Sequence, residues 1–197
     1  LDKKKLNDVF KKNKFECVFH LVANSDIQKG CLSPRLDLEK TFMTTFNVLE
    51  SMKENNVKQI VFFSSSAIYG ELKELLREDT GPLSPVSSYG AAKVSSEAYL
   101  SVFCANYNIK GWILRLPNVV GERATHGIVF DFINKLKENS KELTILGSGQ
   151  QNKPYMYVKD LVEGIIFAWK NSGDRINCFN LGVDSTTTVT KIAEIVV

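Results

Sequence analysis

The chain has 197 residues, 44% of them hydrophobic and 24% charged, with a formal net charge of +3 and a pI of about 8.6. That balance suits a soluble globular protein large enough to bury a core without disulfides. It excludes a membrane span, since no apolar run reaches 18 residues. The basic stretch Lys3-Lys4-Lys5, with Lys11 and Lys12, has acidic neighbours and reads as a solvated helix face rather than a nucleic-acid site.

In chain order, short apolar runs alternate with amphipathic stretches. Cys17–Ala23 reads as a buried strand. From Asp37 to Asn55, apolar Leu38, Phe42, Phe46, Leu49 and Met52 recur at helical spacing. Gln59–Ser64 is a second buried strand, rich in branched and aromatic residues. A loop with Gly81, Pro82 and Pro85 leads to a helix from Ser87 or Ser88 to Tyr107, with serine as N-cap. Lys110–Leu116 is the next strand, stopped by Pro117. Then follow a helix over Val129–Leu136, a short strand Leu143–Leu146, an extended Tyr155–Val158, a helix Asp160–Trp169, a strand Cys178–Leu181 and a last helix from Val189. Near-continuous apolar strands separated by helices predict an α/β fold with a doubly wound parallel sheet.

Cys17, Cys31, Cys104 and Cys178 are scattered without a disulfide framework, so a reducing, cytoplasmic location is expected. His20 and His126 lie far apart, and no metal site is expected. The chain opens with Leu1 and closes on Ile195-Val196-Val197, and both ends read as cut.

The chemistry concentrates in two segments. Ser64-Ser65-Ser66-Ala67-Ile68-Tyr69-Gly70 directly follows a buried strand, where parallel sheets bind ligands. Tyr89 and Lys93 are four apart on a helix and share a face. An ammonium beside a phenol favours the phenolate, so a lowered Tyr89 pKa is expected. The same spacing recurs in Tyr69/Lys73 and Tyr155/Lys159, but only the Tyr89 pair falls inside a helical pattern. In an extended run, residues four apart lie about 13 Å apart.

The order of His20-Leu21-Val22-Ala23, SSSAIYG, Ser88-Tyr89-Gly90-Ala91-Ala92-Lys93 and Arg115-Leu116-Pro117-Asn118-Val119-Val120-Gly121 resembles the extended short-chain dehydrogenases/reductases, including the UDP-glucose 4-epimerases. The resemblance runs from about residue 14 to the end. It implies a Rossmann-type sheet, N-terminally truncated, with part of a smaller C-terminal substrate domain. Residues 1–120 would form the partial dinucleotide-binding domain and 121–197 the mixed nucleotide-sugar-binding region.

By the same resemblance Tyr89 is the acid/base, Lys93 holds the nicotinamide ribose, and Ser65, with Ser66 in reserve, bonds the reacting oxygen. Leu21, Val22, Ala23, Ser64 and Pro117 would line the cofactor, NAD with NADP open. Asn118, Arg123, Leu146 and Lys153 would meet a nucleotide-diphosphate sugar, UDP-linked. A homodimer through the helices 37–55 and 88–107 is implied.

The glycine-rich turn that binds pyrophosphate is absent, and Gly147-Ser-Gly149 follows a late strand and reads as a turn. Thr41 stands where relatives carry asparagine. The dehydratase relatives carry Asp-Glu where this chain has Ser66 and Ala67, which argues against dehydration and is consistent with a 4-epimerase. A ketoreductase, a non-catalytic dinucleotide-binding protein, and a fragment inactive by itself remain open readings.

Overall fold

A computed structural model describes residues 2–24, 26–71 and 75–197. Lys73, of the Tyr69/Lys73 pair, lies outside them. The elements run α1 (Lys3–Lys12), β1 (Cys17–His20), α2 (Ile27–Leu32), α3 (Pro34–Asp37), a π-helical segment Leu38–Phe42, α4 (Met43–Glu54) and β2 (Gln59–Ser65). A 3₁₀ turn Ser66–Tyr69, α5 (Ser88–Tyr107), β3 (Lys110–Leu116), β4 (Asn118–Val120) and α6 (Ile128–Glu138) follow. The chain continues through β5 (Asn152–Lys153), β6 (Tyr155–Tyr157), α7 (Val158–Asn171), β7 (Ile176–Asn180), β8 (Thr187–Thr188) and α8 (Val189–Val196). Two compact units result, residues 1–116 with 168–180, and residues 117–167 with 181–197.

The first unit is built on a four-stranded parallel sheet in the order β1-β2-β3-β7. Parallel strands need crossovers, and the helical stretches read from the sequence supply them. On one face, Leu49 and Met52 of α4, Leu100 and Cys104 of α5, and Ile60 and Phe62 of β2 close a dry core. Each of these six is 0% exposed, worth roughly 1.5–3 kcal/mol for a fully buried large apolar side chain. On the other face Trp112 donates its indole N–H to Ser172 Oγ at 2.8 Å, and Phe19 meets Trp169 edge-on.

Helix α5 starts where the sequence predicts. Ser87 Oγ accepts the Gly90 N–H at 3.1 Å, and Asn108 ends the helix in the left-handed conformation, φ 53°. The periodic stretch 37–55 is less regular than its pattern. It begins in a π-helical segment, and Thr44 and Thr45 both donate their hydroxyls to the Thr41 carbonyl. Side-chain donors at these carbonyls compete with the backbone ladder, which hydropathy spacing does not encode.

In the second unit β4 pairs with β6 in parallel and β5 with β8 antiparallel. Phe132, Ile192 and Ala193 form its core. The strand expected over Leu143–Leu146 is not present: the segment has no ladder partner. Leu143 and Ile145 instead pack on that core while Leu146 is 72% exposed, so the alternation reflects one buried side without strand pairing. Among the described residues no helix is long and apolar enough to cross a membrane, and no group of three or more His, Cys, Asp or Glu could hold a metal ion.

Candidate active site

The carboxyl ends of β1 and β2 and the first turns of α5 converge in the first unit. Ser65 is the last residue of β2, and its Oγ caps the 3₁₀ turn by accepting the Ala67 N–H at 3.2 Å. Gly90 makes the approach of α5 possible. A Cβ there would lie 2.6 Å from the Ala67 carbonyl oxygen and 2.8 Å from Pro85 Cβ. The turn bearing Ser65 and Ser66 is thereby seated against the turn bearing Tyr89.

Tyr89 is half-buried, within hydrogen-bonding reach of Ser65. Its pKa is not lowered as the Tyr/Lys spacing suggests. Burial raises it, the Asp37 carboxylate adds to the rise, and the Ser65 hydrogen bond pulls the other way. The lysine does not offset this, because Lys93 Nζ donates to the Phe63 carbonyl and stands 5.7 Å from the Tyr89 ring centroid. Lys93 is 2% exposed, and burial pulls its pKa down to about 8 against the opposing pull of Glu97.

Leu21, Val22 and Ala23 lie beyond the end of β1, with Leu21 60% and Val22 53% exposed. They form an apolar ledge at a strand end. His20, just before them, is buried and held neutral, its pKa brought to about 4 by burial and by the Lys93 charge. Thr45 Oγ1 gives its proton to the Thr41 carbonyl at 2.9 Å, so His20 Nε2, 3.0 Å away, is the donor of that pair.

The Ser64 side chain is turned inward. It is 3% exposed, and its hydroxyl donates to Glu97 Oε1 at 2.5 Å. Glu97 also accepts Arg115 Nε at 3.2 Å and Arg115 Nη2 at 2.9 Å. Arg115 Nη1 donates to Tyr69 Oη at 2.7 Å, and Tyr69 Oη reaches Asn180. Burial pulls the guanidinium pKa down, but Glu97 outweighs it and holds Arg115 above its ordinary value. Sequence reasoning missed Glu97, although it stands four residues after Lys93 on the same helical face.

The second unit holds a pocket of about 330 Å³ lined by Ile128, Asp131, Phe132, Lys135, Leu146, Gln151, Lys153, Tyr155 and Val189. Leu146 and Lys153 were both expected at a substrate. Lys135 Nζ donates to the Thr144 carbonyl at 2.9 Å. Asn118, at the start of β4, is exposed and donates to the Pro154 carbonyl at 3.3 Å. Arg123 sits exposed in the following turn with φ 65°. It and Asn118 are not among the residues lining this pocket. Pro117 is half-buried at the start of the unit.

A parallel sheet covered by helices, with hydroxyl, phenol and ammonium groups beyond its carboxyl ends, is of Rossmann type. Residues 1–182 match the model of the NAD dependent epimerase/dehydratase family, and the chain belongs to that family. A Thermotoga maritima structure of UDP-glucose 4-epimerase with UDP-glucose is 31% identical, with a TM-score of 0.90 over 99% of this chain and 64% of that one. The Thermus thermophilus UDP-glucose 4-epimerase complex with NAD is 29% identical, with a TM-score of 0.88 over 99% of this chain and 65% of that one. The dTDP-4-dehydro-6-deoxyglucose reductase of Escherichia coli is 28% identical over 97% of this chain and 61% of its own length. The chain thus spans about three fifths of the length of these relatives.

Proposed function

We propose that the whole protein containing this chain is an NAD-dependent nucleotide-sugar 4-epimerase, with Tyr89 as acid/base. The observation that carries the reading is the joint placement of Tyr89, Ser65 and Lys93 at the carboxyl end of β2. The names of the Thermotoga and Thermus relatives favour a UDP-sugar and NAD.

The residues of this chain fit the nicotinamide–ribose end of such a cofactor. Lys93 uses one of its three ammonium donors on Phe63, leaving two for ribose hydroxyls. Leu21 and Val22 offer an apolar ledge for a ring. When bound, the nicotinamide supplies a hydride acceptor and donor. Tyr89 Oη takes the proton of the C4 hydroxyl as that carbon is oxidised and returns it when the carbon is reduced on the other face. Ser65 Oγ hydrogen-bonds the same oxygen, and Lys93 stabilises negative charge on the phenolate side. Within the second unit, the pocket bearing Lys153 and Leu146 offers a lysine as a point charge for a phosphate.

Expulsion of water during a dehydration needs a further acid/base pair, and Ser66 and Ala67 carry no carboxyl group. A ketoreductase uses the same tyrosine, and the reductase relative from E. coli keeps that reading in view. The two are separated by following the anomeric protons of UDP-glucose with the whole protein and NAD. A 4-epimer formed without net NADH supports the epimerase. NADPH oxidation that requires an added keto sugar transfers the proposal to the reductase. Tyr89→Phe abolishes turnover on either enzymatic reading and leaves cofactor affinity nearly unchanged, whereas a purely binding protein has no turnover to lose. A cytoplasmic homodimer is part of the proposal: Tyr99 and Val102 on α5 and Met43 on α4 are 44%, 52% and 38% exposed and available for helix pairing.

A further inference from the structure

Asp37 closes the short helix α3 and is fully buried, 0% exposed. Its carboxylate is held from two sides. Oδ1 accepts Asn24 Nδ2 at 2.9 Å, and Oδ2 accepts Ser88 Oγ at 2.7 Å. Asn24 directly follows the ledge Leu21–Ala23, and its backbone N–H donates to Thr41 Oγ1 at 2.9 Å. Ser88 is the first residue of α5 and the chain neighbour of Tyr89. Gly30 of α2 makes room for the arrangement, because a Cβ there would overlap Asp37 Oδ2.

A buried carboxylate is costly unless its oxygens are hydrogen-bonded. Asn24 and Ser88 both donate, so both oxygens must accept, which a carboxylate does and an amide does not. We propose that Asp37 is a positioning residue for Tyr89: its carboxylate fastens the first turn of α5 to the segment after β1 and keeps a negative charge beside the phenol. The proposal rests on Tyr89 being the acid/base. The charge adds to burial in holding the proton on Tyr89, and so bears on how readily the phenol gives and takes it.

Lys93 lies one turn along α5 and faces Phe63, and His20 of β1 is buried and neutral. Arg115 of β3 is neutralised by Glu97 of α5. Lys29 of α2 pairs with Asp26, and Arg35 of α3 with Glu39 of the π-helical segment, both at the surface. Lys40 of that segment is exposed, as is Lys53 of α4, which lies over the Tyr107 ring.

The test needs no turnover. The whole protein is labelled with [ζ-¹³C]tyrosine, and the Tyr89 resonance is assigned by its loss in Tyr89→Phe. Its titration is then compared in the wild type and Asp37→Asn, with near-ultraviolet circular dichroism confirming the fold. The Tyr89 midpoint is expected to fall in Asp37→Asn. An unchanged or raised midpoint in a folded variant overturns the proposal, whatever reaction the protein performs. If Asp37→Asn fails to fold, Ser88→Ala keeps the carboxylate and removes the hydroxyl that reaches Asp37 and the Gly30 carbonyl. Faster amide exchange at Asn24 is then expected together with faster exchange in the first turn of α5. Unchanged protection at Asn24 refutes the fastening.

Discussion

Glu97→Gln places a neutral amide where a buried charge meets Arg115. Glu97 and Arg115 are 6% and 8% exposed, so neither has water to fall back on. The substitution leaves the Arg115 guanidinium without its counter-charge and turns one acceptor into a donor facing Arg115 Nη2. Removing one partner of a buried pair costs about 3–5 kcal/mol, and glutamine retains one acceptor, so about 3 kcal/mol is expected. With a urea slope of about 2 kcal/mol/M, the unfolding midpoint falls by about 1.5 M. Equilibrium urea denaturation followed by far-ultraviolet circular dichroism measures it. The double variant Glu97→Leu/Arg115→Met should recover much of the loss, since apolar replacement of a whole buried pair is often near neutral. A loss below about 1 kcal/mol for Glu97→Gln, the worth of an exposed pair, would refute the reasoning.

Three more outcomes follow from the same geometry. The folded pKa of His20, about 4, lies below the ordinary 6.5, so between those values the unfolded chain binds the extra proton and stability falls as pH falls. From pH 7 to pH 5 the His20 contribution to unfolding free energy drops by about 2 kcal/mol, and His20→Gln should remove that part of the slope in paired urea titrations. Gly90→Ala drives a methyl group into the Ala67 carbonyl and Pro85, costing about 1–3 kcal/mol by thermal unfolding, and should lower turnover by separating Tyr89 from Ser65. Lys93→Met should weaken NAD binding measured by calorimetry, while an affinity equal to wild type would remove the ribose role assigned to it.

The sheet was legible because β2 and β3 are buried on both faces and so read as continuous apolar runs, with Pro117 marking the end of β3. Helix α5 was legible down to its serine cap. In the candidate site, spacing and position agree for one pair: Tyr89 and Lys93 share a helical face beyond the end of β2. What spacing could not give is where the lysine points. Lys93 turns to the Phe63 carbonyl, and burial with Asp37 decides the direction of the Tyr89 shift. Asp37 itself escaped notice because a lone acid at the start of a periodic stretch reads as a solvated helix end. Its burial is a tertiary fact set by Gly30, Asn24 and Ser88. The direction of Ser64 was hidden for a related reason, since strand alternation turns it toward Glu97 while its neighbour Ser65 faces the phenol. The segment Leu143–Leu146 carries a strand's alternation without a partner strand, and no local pattern reveals a missing ladder.

The most direct test of the epimerase reading supplies the whole protein with NAD and UDP-glucose carrying deuterium at C4. The account predicts UDP-galactose that keeps the deuterium at C4, because that hydrogen leaves and returns as hydride while Tyr89 handles only the hydroxyl proton. Product whose C4 deuterium has exchanged with water would contradict it.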